Sequence, residues 1–199
     1  MKTTAEVRKE RRFVWVNKRG SYVNIIKPYK HENDEGDGKY SIQIIVPKDD
    51  PQMVEFKKLC TRVLKQDFPT LGNEELKQLA IPWHDGDQER PGDSVYENMY
   101  YLNAKSSNKP KILNRQKTGI ASHEDIEAFG FSGCYFHIAV DVATYSRAGN
   151  KGVNGYLRSI MLYESGESLG GAADPMDDFE AVEAKGGSDD DIEVDENLF

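Results

Sequence analysis

The sequence predicts a mainly β fold, a small barrel of short strands with one helical segment inserted between them. Three observations support this prediction: strand-like alternation recurs through residues 13–163, one amphipathic helix interrupts it, and an acidic segment poor in apolar residues follows. With 199 residues, 38% of them hydrophobic, the chain suits one domain of ordinary size plus an appendage. A doubly wound α/β sheet would need strands and helices to alternate throughout, and here they do not.

Alternating apolar residues predict the first strands. Residues 13–16 alternate, residues 20–21 can form a turn, and residues 22–26 fit the returning strand. Residues 40–46 give the clearest strand of this half, which Pro47 ends.

The hydrophobic period then changes to that of a helix. Residues 49–50 place a capping carboxylate before Pro51, and apolar residues recur at helical spacing as far as Asp67. A second, shorter helix is predicted to begin at Asn73 and to stop before Pro82.

The second half of the chain returns to strand patterns after a glycine- and acid-rich loop at residues 83–93. Strands are predicted at residues 100–104, 111–113 and 156–163. The longest alternation covers residues 134–145 and places two sets of side chains on opposite faces. One set is Cys134, Phe136, Ile138, Val140 and Val142, and the other is Tyr135, His137, Ala139, Asp141 and Tyr145. Together these segments predict an OB-like five-stranded Greek-key barrel formed by residues 1–165.

The two ends of the chain differ in charge. The whole chain carries −8, but residues 164–199 hold 13 Asp or Glu against one Lys, which leaves 21 acidic and 25 basic residues in residues 1–163. Residues 166–199 have too little apolar surface to offset the entropy of ordering, so they are predicted to form a disordered acidic tail. Such asymmetry indicates a partner that is nucleic acid, or a tail that mediates interactions.

Several classes of protein are disfavoured by composition. Cys60 and Cys134 provide neither a disulfide framework nor zinc-site spacing, and the four histidines are scattered, so no metal or other cofactor is predicted. The sequence contains no apolar run long enough to span a membrane and no signal-peptide core at its start. We therefore expect a cytoplasmic protein without membrane partners.

Aromatic residues beside cations indicate binding of single strands. Such binding without sequence preference needs cations that follow the phosphates and aromatic faces on which bases stack. Three segments combine both: residues 11–19, 100–111 and 135–151. The predicted stacking residues are Trp15, Tyr101 and Tyr135, with Phe13, His137 and Tyr145 as weaker candidates. The predicted phosphate contacts are Arg11, Arg12, Lys105, Lys109, Arg147 and Lys151.

The acidic tail supports the same interpretation. A polyanion that ends in an aromatic residue imitates DNA, so it can occupy the groove of its own body or dock on basic pockets of partner proteins. Tethering raises its effective concentration at the groove. The tail residues predicted to make these contacts are Asp189, Asp190, Asp191, Glu193, Asp195, Glu196 and Phe199.

Two other classes of protein are alternatives. A Mg²⁺-dependent nuclease could use the carboxylates of residues 84–89, although they all lie in one loop and a solvent-exposed turn at Gly86 is the simpler interpretation. An acidic DNA mimic that inhibits a host DNA-binding enzyme would carry acids across its folded surface, whereas here they concentrate in the tail. Residues 149–155 lack the ending of a phosphate-binding P-loop. No catalysis is predicted.

Several short motifs suggest a family. They lie at residues 84–87, 101–105, 109–110, 132–135, 149–153 and 164–170. In order and spacing the chain resembles the single-stranded DNA-binding proteins of tailed bacteriophages, an OB-fold group with an acidic tail ending in phenylalanine, over residues 13–170. The resemblance implies a protein that coats and protects single strands in phage DNA replication and recombination, in the host cytoplasm. It also implies tail contacts with phage or host DNA polymerase and helicase-primase, and the sequence leaves open whether the body forms a homodimer.

Overall fold

A computed structural model describes residues 4–30, 36–147 and 149–169. None of the helices in these ranges is long and apolar enough to cross a membrane. In chain order the elements are α1 (Thr4–Glu10), β1 (Arg12–Tyr29), β2 (Lys39–Pro47), α2 (Pro51–Asp67), α3 (Asn73–Lys77), β3 (Trp83–Asp85), α4 (Gly86–Glu89), β4 (Met99–Ser106), β5 (Lys111–Leu113), α5 (His123–Phe129), β6 (Tyr135–Arg147) and β7 (Asn150–Glu164).

Five of the strands close into a barrel. The sheet runs in the order β3-β4-β2-β1-β6-β7-β5, and an additional parallel pairing joins Lys105 of β4 to Tyr156 of β7. That pairing closes the ring formed by β1, β2, β4, β7 and β6, whose other neighbours are antiparallel. This strand order is that of the OB fold, so the predicted fold class is confirmed.

The first strand is continuous, so the turn predicted at residues 20–21 is wrong. β1 pairs with β6 along its first half and with β2 along its second half. Register shifts accompany two residues with left-handed backbone, Asn17 (φ 51°) and Tyr22 (φ 46°), and bulges of this kind bend a strand from one partner to the next. Gly20 is required for packing, because a Cβ atom there would lie 2.6 Å from the ring of Phe136.

The inserted helix α2 has the predicted bounds. The side chain of Asp50 accepts a hydrogen bond from the backbone N–H of Gln52, and Pro51 occupies the first turn. Its buried face, which includes Phe56 and Val63, packs against β1, β6 and β7. The shorter helix α3 begins at Asn73, as predicted.

The alternation of β6 is confirmed: Cys134, just before the strand, and Phe136, Ile138, Val140 and Val142 within it are buried in the core, and the opposite set is half-buried. The last strand is longer than predicted, because β7 begins at Asn150 and not at residue 156. Gly152 allows this, because a Cβ atom there would lie 2.5 Å from the carbonyl oxygen of Ala80. The loop predicted at residues 83–93 contains the short elements β3 and α4.

Beyond β7 the chain continues along the body past the predicted boundary at residue 165. Arg19 donates a hydrogen bond to the carbonyl oxygen of Glu167, and the backbone N–H of Leu169 donates to that of Ser132. Leu169 packs against a small buried cluster of Ile45, Tyr96 and Tyr101. From residue 170 onward, the tail that is predicted to be disordered lies outside the described residues. This part contains all the tail residues predicted to make contacts: Asp189, Asp190, Asp191, Glu193, Asp195, Glu196 and Phe199.

Candidate nucleic-acid interface

The outer face of β1, β2 and β4 carries a ladder of polar side chains. In the core-facing set, Ile42, Ile44, Leu102 and Ala104 are buried, and the alternate residues of the same strands point outward. Register aligns two outward rows across the three strands. We call these rows the polar face: Ser21, Gln43 and Asn103 in the first, and Asn24, Ser41 and Lys105 in the second.

Hydrogen bonds within each row order the polar face. The amide nitrogen of Gln43 donates to the side-chain oxygen of Asn103 at 2.9 Å, and that of Asn24 donates to the hydroxyl of Ser41 at 3.2 Å. Gln43 is buried, whereas Asn24, Ser41 and Asn103 keep part of their surface in solvent. Polar groups fixed in this way can bind a polar ligand without reorganising first.

Exposed lysines border one end of the polar face. β1 ends, β2 begins and β4 ends at this edge, as the pairing of Tyr29 with Lys39 and of Ser41 with Lys105 requires. Within the described part of the chain, none of these lysines forms a salt bridge. We call this set the lysine rim: Lys27, Lys30, Lys39, Lys105 and Lys109.

The opposite end of the polar face is covered by residues 86–98. The Lys48 ammonium lies 2.5 Å from Asp85 and 2.7 Å from Asp87, and Asp87 also accepts from the backbone N–H of Asn98 at 2.8 Å. The hydrogen bonds from Lys48 and Asn98 lower the pKa of Asp87. The hydroxyl of Tyr96, within the cover, bonds to Gln43. The part of the polar face that remains open therefore adjoins the lysine rim.

Tyr22 stands beside the polar face and was missed by the sequence prediction. The residue is 59% exposed, and its backbone is left-handed. The guanidinium of Arg90 lies over its ring, 5.3 Å from the centroid, and donates to its hydroxyl at 3.3 Å. The same guanidinium lies 4.2 Å from the ring centroid of Tyr96 and 4.9 Å from that of Tyr101. Neither the bulge at Tyr22 nor the approach of Arg90 has a periodic signal in the sequence.

Two of the predicted stacking residues are buried, which corrects the prediction. Trp15 is 0% exposed, with its ring 4.7 Å from Phe13 and 4.8 Å from Phe56 between centroids, so Phe13 is also engaged in the core. Tyr101 is 6% exposed and lies between His84, stacked at 4.8 Å, and Arg90. Neither Trp15 nor Tyr101 presents a free ring face to a base.

The two predicted phosphate contacts at the start of β1 form salt bridges instead. The guanidinium of Arg11 bonds both carboxylate oxygens of Asp67 at 2.7 and 2.6 Å, and Arg12 bonds Asp141 at 3.1 Å. The hydrogen bonds from Arg11 are the main reason that the pKa of Asp67 is lowered. Both arginines thereby join β1 to neighbouring elements, and their charges are compensated.

Tyr135 and His137 project from the outer face of β6, which borders the first half of β1 and not the half that carries the polar face. Both are half-buried. The Nδ1 atom of His137 accepts from the backbone N–H of Asn17 at 3.0 Å, and its ring centroid lies 4.7 Å from that of Tyr163. Burial is the main reason that the pKa of His137 is lowered, so the ring stays neutral at neutral pH.

The remaining predicted residues gather at the tip of the β6–β7 hairpin. Tyr145, Arg147 and Lys151 line one groove, whose other wall includes Leu71 and Leu79 beside α3. Arg147 and Lys151 are exposed, and Lys151 lies 5.8 Å from the ring centroid of Phe68. The structure thus brings Tyr145, Arg147 and Lys151 together, while Lys105 and Lys109 belong to the lysine rim.

The carboxylates of residues 84–89, considered above for a nuclease, have partners within the chain. Lys48 bonds both Asp85 and Asp87, while Glu89 bonds His84 at 2.9 Å and the hydroxyl of Tyr101 at 2.9 Å. Among the residues that the structure describes, no group of three His, Cys, Asp or Glu side chains is arranged to hold a metal ion. The loop therefore acts as an anchor for the cover of the polar face.

A closed barrel of this topology, with a polar outer face and a rim of exposed lysines, defines an OB-fold protein of the nucleic-acid-binding class. Residues 12–192 match the family described as Enterobacter phage Enc34, ssDNA-binding protein, and the chain belongs to this family. The predicted resemblance to phage single-stranded DNA-binding proteins is therefore confirmed. No match was found among curated protein sequences.

Solved structures with this fold include three informative relatives. The single-stranded DNA-binding protein from bacteriophage Enc34 in complex with ssDNA is 24% identical, with a TM-score of 0.67 over 81% of this chain and 91% of that one. Its C-terminal truncation is 25% identical, with a TM-score of 0.66 over 81% and 90%. The gp2.5 protein, a single-stranded DNA-binding protein encoded by bacteriophage T7, is 15% identical, with a TM-score of 0.58 over 82% and 97%. At this level of identity the likeness to gp2.5 shows the fold.

Proposed function

We propose that the chain binds single-stranded DNA without sequence preference and thereby coats and protects single strands in phage DNA replication and recombination. Membership of a phage ssDNA-binding family supports this function, as does the ssDNA bound to the Enc34 relative. The mechanism is binding, and we propose no reaction. In OB folds, oligonucleotides bind to the second and third barrel strands, which correspond here to β2 and β4.

The observation that carries this proposal is the lysine rim beside the open part of the polar face. Among the described residues these lysines form no salt bridge, so their like charges repel one another, and a polyanion relieves this repulsion while it releases condensed counterions. Lys105 belongs both to the polar face and to the rim, so a strand on the rim also reaches Asn24 and Ser41. Lys109 continues the rim beyond β4.

The hairpin groove formed by Tyr145, Arg147 and Lys151 is the proposed extension of this path. In OB folds, the connection between the last two barrel strands is a second element that contacts oligonucleotides, and here that connection joins β6 to β7. The groove combines an aromatic ring with two exposed cations. Tyr135 and His137 occupy a third surface, on β6, and both remain proposed contacts for bases.

The six acidic side chains within residues 189–196, together with Phe199, are proposed to compete with DNA and to contact replication proteins such as DNA polymerase and helicase-primase. The course of residues 165–169 supports the first role. Leu169 packs beside Tyr96 and Tyr101, which belong to or lie under the cover of the polar face. Leu169 therefore lies beside the covered end of the same face whose open end is the proposed DNA path, and tethering there gives the acidic residues a high effective concentration at that path.

The proposal is tested by fluorescence anisotropy with labelled oligo-dT and a matched duplex, using the full chain. The double variant Lys39→Ala/Lys105→Ala is expected to lower oligo-dT affinity about tenfold or more at ~0.1 M salt, because two phosphate contacts are lost. The matched control, Lys65→Ala/Lys117→Ala, removes the same charge from exposed positions on α2 and on the turn after β5. Equal losses in both variants, or no loss in the first, would contradict the proposed interface.

A further inference from the structure

The bulge in β1 requires a left-handed backbone at position 22, and a tyrosine is an unexpected residue to find there. A bulky residue with a positive φ, here 46°, is an outlier that glycine or asparagine would occupy at lower cost. The residue is 59% exposed, so burial of the side chain compensates little of that cost. Outliers of this kind concentrate at functional sites, where the strained position serves a ligand.

Arg90 fixes the position of the Tyr22 ring. Its guanidinium lies over the ring and bonds the hydroxyl, while its other contacts are with Tyr96 and Tyr101. Arg90 therefore connects an exposed ring to two rings of the buried cluster. Because a guanidinium engages one ring face, the exposed surface of Tyr22 remains available for stacking.

The location of Tyr22 suits a nucleobase. The residue follows Ser21 in the first row of the polar face and precedes Asn24 in the second, so it flanks the part of the face between the cover and the lysine rim. A strand whose phosphates contact Lys39 and Lys105 would direct bases toward this flank. The cover carries acidic residues such as Asp93 and Glu97, which disfavour phosphates on that side.

We propose that Tyr22 stacks on an unpaired nucleobase and that Arg90 holds the Tyr22 ring in position for this contact. Together the two residues select single strands over duplex. This inference rests on the proposed function. Lysines attract the phosphates of single strands and duplexes alike, whereas a ring can stack only on a base that has left the helical stack. Tyr22 contacts the base, and Arg90 is a positioning residue.

The test separates strain from binding. Tyr22→Gly removes the ring and permits the left-handed backbone, so its melting temperature should equal or exceed that of the parent. Its oligo-dT affinity should fall about tenfold, the effect expected for loss of one stacked base, while duplex affinity should change less than twofold. Asparagine tolerates the same left-handed backbone, so Tyr22→Asn should show the same loss of oligo-dT affinity with little change in duplex affinity. Tyr22→Phe keeps the ring and should retain single-strand selectivity.

Matched controls make the outcome specific. Asn17→Gly makes the same backbone change at the other left-handed residue of β1 and should leave both affinities unchanged. Arg90→Lys should lower the ratio of oligo-dT to duplex affinity in the parent, but should have no further effect on that ratio in the Tyr22→Gly background. A structural role alone would change stability without changing the ratio.

Three results would overturn the inference. Unchanged oligo-dT affinity in both Tyr22→Gly and Tyr22→Asn would remove Tyr22 from the site, and equal losses for oligo-dT and duplex would remove its selectivity. Additive effects of Arg90→Lys and Tyr22→Gly on the ratio would remove the positioning role. The variant Lys39→Ala/Lys105→Ala distinguishes these failures from failure of the proposed function, because its effect on oligo-dT affinity does not depend on Tyr22.

Discussion

Arg11 and Asp67 form a bidentate salt bridge that joins the first residues of the barrel to the end of α2, with N–O distances of 2.7 and 2.6 Å. The hydroxyl of Thr144 donates a third hydrogen bond to the same carboxylate at 2.8 Å. Both charged side chains are mostly sheltered, with 21% and 25% of their surface exposed. Charge-assisted bonds of this geometry are among the stronger polar contacts in proteins, so the pair stabilises the fold.

Replacing this carboxylate is expected to change the pH dependence of unfolding. The pKa of Asp67 is lowered in the folded protein, so its contribution is present above the unfolded value of about 3.9 and is lost as pH falls through the folded value. Asp67→Asn should lower the free energy of unfolding at pH 7 by ~1–2 kcal/mol. The difference from the parent should shrink below about pH 4. Urea unfolding at several pH values measures this, and a difference that stays constant into acid would contradict it.

Arg11→Ala separates the structural role from the predicted phosphate contact. We expect a loss of stability similar to that of Asp67→Asn, because the carboxylate keeps only its bond from Thr144. Affinity for oligo-dT should stay within about twofold of the parent, since the charge of Arg11 is already compensated. A tenfold loss of oligo-dT affinity in a fully folded Arg11→Ala protein would show that Arg11 contacts DNA, as the sequence predicted.

Burial of Trp15 leads to a spectroscopic prediction. In a Trp83→Phe variant, Trp15 is the only tryptophan, and its emission should be blue-shifted and insensitive to both acrylamide and saturating oligo-dT, because the indole is fully enclosed. Trp15→Ala should destabilise the fold by ~3–5 kcal/mol through the cavity it leaves. Strong quenching of Trp15 by oligo-dT would contradict its assignment to the core.

Trp15 and β6 show what hydrophobic periodicity can predict about a strand: it groups the side chains by face, but it does not always identify the buried face. Alternation correctly grouped Phe136, Ile138 and Val140 on one face, because every second residue from position 134 to position 142 is apolar, and this set of five identifies the buried side. In β1, alternation correctly places Phe13 and Trp15 on the same face of the strand, but it does not determine which of the two faces is buried in the core. The bulge near Asn17 and the packing of Phe56 from α2 decide that point, and both are tertiary features.

The candidate site was less predictable than the fold for a similar reason. Lys105 and Lys109 could be identified because cations after a strand end are exposed on most folds. Tyr22 could not, since the sequence around it indicates a turn and its exposure depends on a register shift. Arg90 reaches the site from a segment distant in sequence, through rings that no local pattern connects.

Salt dependence can assign phosphate contacts one lysine at a time. For single strands, each phosphate contact contributes about 0.7 to the slope of log K against log[salt]. Alanine at Lys39, Lys105 or Lys109 should therefore reduce the slope by ~0.7, and alanine at Arg147 or Lys151 should do so only for oligonucleotides long enough to reach the hairpin. Lys65→Ala serves as the control. A slope that is unchanged in all three rim variants would exclude the rim from the contact surface.

Removal of the acidic tail tests whether it competes with DNA. Deleting residues 186–199 takes away six acidic side chains and should strengthen oligo-dT binding, because DNA no longer has to displace a tethered polyanion. The gain should be largest at low salt and shrink as salt screens both interactions. A full-length control with the six acids changed to Asn or Gln should behave like the deletion, which separates charge from chain length. Weaker binding by the truncated protein would mean that the tail assists DNA binding, and the competition proposed for it would be wrong.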